Sequence, residues 1–202
     1  MASFWKRLFG GGHGEPVIIV SGLPRSGTSM AMKMLEAGGF APVQDGIRTA
    51  DLDNPKGYYE DERVKDLHKM EDKSWVRNAR GKVLKVISFL LKDLPEENDY
   101  KVIFMRREVA EVLASQNKML DHRGEESETE DARMAEIYRD HLEKVDVLLR
   151  TRENFTWIDI PYSEAIRNPL EQADRINRFL GGGMDVRKMA AVVDPELYRN
   201  RA

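Results

Sequence analysis

The stretch on which the fold turns is P-V-I-I-V-S-G-L-P-R-S-G-T-S-M-A-M-K-M-L-E-A-G-G, running from Pro16 to Gly39. Val17, Ile18, Ile19 and Val20 are β-branched and apolar with no polar alternation, the pattern of a parallel strand covered on both faces. Gly22 and Gly27 bracket Leu23, Pro24, Arg25 and Ser26. That spacing is the G-x-x-x-x-G frame of a loop whose backbone N–H groups turn inward on an anion. Met30 with Met34 and Ala31 with Leu35 then repeat at helical spacing, and Gly38 and Gly39 supply the stop. Strand, glycine loop and helix start together place the positive end of a helix dipole at the tip of a buried strand. The stretch reads as an anion site, with an ordinary strand-to-helix turn as the plainer alternative.

Composition narrows the classes. The chain has 202 residues, 41% hydrophobic and 33% charged, with 32 basic residues against 35 acidic for a net charge of −3. That is enough chain for one domain with a sheet covered on both faces, and the charge balance points to no nucleic-acid partner. Cysteine is absent, which excludes disulfides, thiolate metal sites and a cysteine nucleophile, and is compatible with a cytoplasmic protein. The longest apolar run, residues 86–91, falls far short of a membrane span.

Residues 1–14 interleave Phe4, Trp5, Leu8 and Phe9 with Lys6 and Arg7 before a cluster of glycines. This is either a small basic amphipathic helix that touches a membrane surface or partner, or a loosely docked, flexible terminus. A domain over residues 15–202 follows. Asn54, Pro55, Lys56 and Gly57 match a type I turn that delivers Tyr58, Tyr59 and Glu60, and a short helix with acids in its first turn begins at Asp61. Glu60 has two readings here, a catalytic carboxylate beside an aromatic wall or an acid that complements a helix N-terminus.

Lys82 to Ile87 is expected as a second strand, and Val102, Ile103, Phe104 and Met105 as a third that ends in Arg106 and Arg107. Val109, Val112, Leu113 and Leu120 continue that strand into a helix. Asp121 to Asp131 reads as a mobile charged loop, with a lid over a ligand as the sharper reading. Residues 131–150 form an amphipathic helix with His141 on its apolar face, packed rather than catalytic. Phe155 to Ile160 is a fourth strand. Asn168, Pro169 and Glu171 have the spacing of a capping box that opens a helix, and Asp185 to Val193 is a last helix. Strands that alternate with helices in this way predict an α/β fold, with a mainly parallel sheet of about four to five strands between two helical layers. Ligands of such sheets sit beyond the strand C-termini, so Arg25 and Arg107 are expected on one edge.

A nucleoside-triphosphate loop carries Lys after its second glycine, whereas Thr28 and Ser29 follow Gly27 here and the fixed charge is Arg25, inside the loop. P-R-S-G-T-S after a buried strand resembles the 5′-phosphosulfate loop of the sulfotransferases that use 3′-phosphoadenosine 5′-phosphosulfate (PAPS). The resemblance extends to V-I-F-M-R-R-E-V-A-E-V-L-A-S, where Arg107 and Ser115 match the Arg and Ser, eight residues apart, that hold the donor's 3′-phosphate, with Arg106 in reserve. It covers most of the chain, including N-P-K-G-Y-Y-E and the closing F-L-G. Val109 stands where the family often has Pro, and the C-terminal R-K-G-x-x-G-D-W-K segment of the cytosolic branch is missing.

The resemblance implies a P-loop-like fold and a PAPS-dependent sulfotransferase. Such an enzyme moves a sulfuryl group to a hydroxyl or amine of a small-molecule or carbohydrate acceptor, releases 3′-phosphoadenosine 5′-phosphate (PAP) and needs no metal. It assigns donor binding to Arg25, Ser26, Gly27, Thr28, Ser29, Arg107 and Ser115. It assigns catalysis to Arg25 and to Glu60 as general base, with Asp45, Asp53 and His68 as further candidates. Two other readings stand beside it, a nucleotide kinase or NTPase on the same fold and a non-catalytic PAP-binding module.

Overall fold

All six residues of β1, Val17–Gly22, are buried, because both faces of the strand are covered. The structure, a computed structural model, describes residues 13–45, 59–125 and 129–195. Within them β1 is followed by α1 (Thr28–Ala37), α2 (Glu62–Lys65), β2 (Val83–Lys85) and β3 (Tyr100–Arg106). The chain continues through α3 (Val109–Arg123), α4 (Asp131–Thr151), β4 (Phe155–Pro161), α5 (Tyr162–Arg167), α6 (Pro169–Leu180) and α7 (Val186–Ala191). Short 3₁₀ helices at Ser74–Ala79 and Ser88–Asp93 flank β2.

The four strands form one sheet in the order β2-β1-β3-β4, and every pairing is parallel. The side-chain period of two sorts each strand between two cores. Ile18, Val20, Ile103, Met105 and Ile160 pack with residues of α1, α5, α6 and α7. Val17, Ile19, Leu84, Val102 and Phe104 pack on the other face with Leu67, Leu91, Val145 and Leu149. A smaller cluster of Leu23, Val112, Leu113, Ala135 and Tyr138 ties α3 and α4 to the loop after β1. The fold is therefore a three-layer α/β domain of the expected class, with four strands among the described residues.

Strand order places the site. From β1 the chain goes to β2 on one side, then returns across β1 to β3 on the other. The segments leaving β1 and β3 diverge to opposite faces at their C-terminal ends, which opens the crevice where such sheets bind ligands.

Several local expectations are corrected. The charged stretch from Asp121 is not loop at its start: α3 runs through Arg123 and ends at Gly124, in left-handed conformation at φ 66°, where helices commonly stop. Residues 126–128 lie outside the described residues, and the lid reading with them. Asn168 and Glu171 form no capping box, since Asn168 makes no side-chain cap and its Nδ2 donates to Glu164 Oε2 at 3.0 Å. The cause is α5, a short helix absent from the sequence reading, which ends at that asparagine. Residues 1–12 and the turn expected at residues 54–57 also lie outside the described residues. Among the described residues, no helix is long and apolar enough to cross a membrane.

Candidate anion-binding site

The loop between β1 and α1 is built around two glycines. Gly22 has φ 151° and Gly27 φ 99°, values that favour a residue without Cβ. A Cβ on Gly22 would lie 2.4 Å from Ser26 Oγ and 2.8 Å from the Met105 carbonyl oxygen, and one on Gly27 would lie 2.4 Å from the Tyr162 ring. Gly27 is the N-cap of α1 and has no side chain with which to cap that helix, and a helix N-terminus of this kind favours an anion. Ser26 N donates to Leu23 O at 3.1 Å and closes the turn.

Arg25, inside the turn, has φ 67°, and among the described residues the other non-glycine with positive φ is Tyr59, at 51°. For a bulky side chain such a backbone is an outlier that the surrounding structure must hold. Each is held. The Arg25 carbonyl accepts from Arg107 Nη1 at 2.9 Å, and the Arg25 Nε donates to Ser115 Oγ at 3.2 Å. Tyr59 is buried, and its hydroxyl donates to Glu36 Oε2 on α1 at 2.5 Å; burial and that carboxylate push the phenol far above its usual pKa. The two strained residues thus flank the site, one in the loop and one immediately before Glu60.

The structure brings Arg25, Arg107 and Ser115 together around one turn. Helical rise alone separates residues 107 and 115 by about 12 Å; they converge because Arg107, just before α3, holds the Arg25 carbonyl while Ser115, within α3, meets the Arg25 side chain. Arg106 points elsewhere: it pairs with Asp159 at 2.8 Å and with Asp146. Thr28 is buried and Ser29 half-buried at the start of α1. Ser26 Oγ is buried without a hydrogen-bond partner.

Glu60 lies across the crevice. Its Oε1 accepts from Lys85 Nζ at 3.3 Å, its Oε2 is 3.9 Å from Lys65 Nζ, and Lys85 Nζ also donates to Ser29 Oγ at 3.3 Å. The acid that complements the N-terminus of α2 is Asp61, whose Oδ1 accepts from Arg63 N at 3.1 Å, with Asp45 Oδ2 accepting from Glu62 N at 2.6 Å. The helix-end role belongs to those two residues, and the Glu60 carboxylate is turned to Lys85. His68 is exposed on the surface after α2, and Asp53 lies outside the described residues.

Solved structures resemble this arrangement in fold. The chain superposes on the sulfotransferase domain from the curacin biosynthetic pathway with a TM-score of 0.53 at 13% identity, covering 93% of this chain and 92% of that one. A sulfotransferase from Mycobacterium tuberculosis H37Rv superposes with a TM-score of 0.59 at 15% identity, covering 94% and 75%. The chain has the sulfotransferase fold. No family model matches the sequence, and no curated protein sequence matches it.

Within the sulfotransferase fold of this chain, three side chains at the crevice escape a reading of the sequence. Lys85 is 8% exposed at the C-terminal end of β2 and paired in register with Val20; its signal was a lone cation inside the apolar run V-L-K-V-I, where an unpaired charge is costly. Glu111 and Tyr162 are buried against Arg107. Glu111 looks in sequence like any acid in a first helical turn, and Tyr162 belongs to the helix that the sequence did not reveal. Among the described residues, no group of three or more His, Asp or Glu side chains is placed to share a metal ion.

Proposed function

We propose that the chain is a sulfotransferase that moves a sulfuryl group from PAPS to an acceptor hydroxyl or amine and releases PAP. The observation that carries this reading is the meeting of a glycine loop lacking the nucleoside-triphosphate lysine with a lysine from the neighbouring strand. Lys85 reaches Ser29 at the loop's helical end, and Glu60 lies on its other side.

The residues present fit a phosphosulfate. Gly27, the N-cap of α1, sets no side chain of its own over the first amides of that helix, and Ser26 Oγ is an unmatched buried polar atom. The bound donor supplies an activated sulfuryl group, and its departure leaves negative charge on the 5′-phosphate. Arg25, Lys85 and the loop amides of Gly27, Thr28 and Ser29 hold that charge with donors already in place before reaction. Glu60 takes the proton from the attacking hydroxyl or amine, the role of a general base within hydrogen-bond reach of its target. Ser115 bonds the Arg25 side chain at the end of the crevice where the resemblance puts the 3′-phosphate.

The acceptor in this reading is a small molecule or carbohydrate. The test is PAP release from PAPS over a panel of sugars, phenols, amines and lipids, run with and without excess chelator. Acceptor-dependent PAP release that survives chelation supports the reading. Magnesium-dependent ATP turnover moves it to a kinase or NTPase, and PAP binding with no turnover on any acceptor leaves a nucleotide-binding module.

A further inference from the structure

Arg107 is nearly sealed from solvent. Its side chain is 6% exposed and that of Glu111, one helical turn along α3, is 7% exposed. Arg107 Nε donates to Glu111 Oε2 at 2.9 Å, Nη1 donates to the Arg25 carbonyl oxygen at 2.9 Å, and the guanidinium carbon lies 4.4 Å from the centroid of the Tyr162 ring. The same ring abuts Gly27 on the far side of the loop. A guanidinium fixed by a carboxylate, a carbonyl and an aromatic face has little freedom to turn toward a ligand. The carbonyl it grips belongs to the residue whose left-handed backbone needs holding.

We infer that Arg107 is a positioning residue that acts through the loop: oriented by Glu111 and Tyr162, it clamps the Arg25 carbonyl and so presents the Arg25 guanidinium and the first amides of α1 to the donor. This rests on the reading of the loop as the phosphosulfate site, and departs from the resemblance, which puts Arg107 on the 3′-phosphate. Glu111 then becomes a site residue without touching substrate. Its buried carboxylate is the counter-charge that lets an arginine sit under the loop.

Two measurements on the full chain test it. The first needs no ligand: amide hydrogen exchange at residues 23–29, compared with β1, in the unmodified protein, Arg107→Lys and Glu111→Gln. Both variants should speed exchange in the loop about tenfold while β1 stays protected. Unchanged loop exchange in both variants overturns the inference.

The second is calorimetric affinity for PAP and for adenosine 5′-phosphate. A clamp acting through the loop weakens both nucleotides by the same factor, about tenfold for loss of one charged hydrogen bond. A direct 3′-phosphate ligand instead leaves adenosine 5′-phosphate unaffected and erases only the preference for PAP, which also overturns the inference. If a single substitution strands the partner's charge and the chain does not fold, Arg107→Met with Glu111→Leu removes both charges at similar volume and carries both measurements. If the unmodified protein binds neither nucleotide, the sulfotransferase reading fails, and the exchange experiment still decides the clamp.

Discussion

Glu60 stands beside two cations, the buried Lys85 at 3.3 Å and the exposed Lys65 at 3.9 Å, and its chemistry can be separated from its structural part by one substitution. Glu60→Gln keeps size and hydrogen-bonding capacity but cannot accept a proton. Single-turnover sulfuryl transfer should fall about 100-fold or more, with PAP affinity unchanged; a normal rate would move the base to Asp53, Asp45 or His68. His141 gives a second test at this scale. It stacks on Phe89 at 3.7 Å and shares a 2.9 Å hydrogen bond with Ser88, and burial together with Lys144 and Lys92 lowers its pKa against the opposing pull of Asp140. A depressed folded pKa means that the unfolded chain protonates first, so stability is intact above the ordinary histidine value of about 6.5. It is lost as pH falls from there through the lowered folded value. Melting temperature should drop over that window in the unmodified protein and drop less in His141→Gln. Sequence placed His141 on a packed face because helical period alone decides that question, whereas the partner of Glu60 was hidden in a strand 25 positions away, a distance no local pattern spans.

At the scale of elements, the loop from β1 to α1 was legible because its constraints are local. A buried strand, two glycines at fixed spacing and a helical repeat all lie within one short stretch, and each reports on its own backbone. The junctions that were misread depend on distant neighbours. A capping box at Asn168 requires a free helix start, and α5, packed into the core through Ala165 and Ile166, occupies the preceding turn. The end of α3 was likewise set by a left-handed Gly124 rather than by the charge that begins at Asp121. The loop's dependence on glycine leads to a sharp prediction. In Gly22→Ala the new methyl meets a carbonyl oxygen of β3 at 2.8 Å as well as Ser26 Oγ at 2.4 Å, and the backbone remains at a φ that alanine resists. The cost should be about 2 to 4 kcal/mol, read by denaturant unfolding. Adding Ser26→Ala should recover part of it and no more, because the Met105 carbonyl cannot withdraw without disturbing the β1–β3 pairing.

Across the whole molecule, the site is assembled from segments far apart in the chain, namely the loop at 22–29, Lys85 after the crossover to β2, and Ser115 on the helix that follows β3. The parallel sheet brings them to one edge, so a ligand that touches all of them holds β1, β2 and β3 in register at once. Such a ligand binds the native chain and not the unfolded one, and at 100 times its dissociation constant should add about 2.7 kcal/mol of stability. For a domain of this length that corresponds to a rise in melting temperature of about 5 to 10 °C. PAP should produce this shift. Adenosine 5′-phosphate at the same concentration should produce much less, since it engages the loop but leaves the end of the crevice at Ser115 without an anion. Ser115→Ala should bring the two nucleotides closer together. Equal shifts for both in the unmodified protein would mean that the crevice holds one anion rather than two, and a nucleotide donor bearing a 3′-phosphate would lose its structural basis.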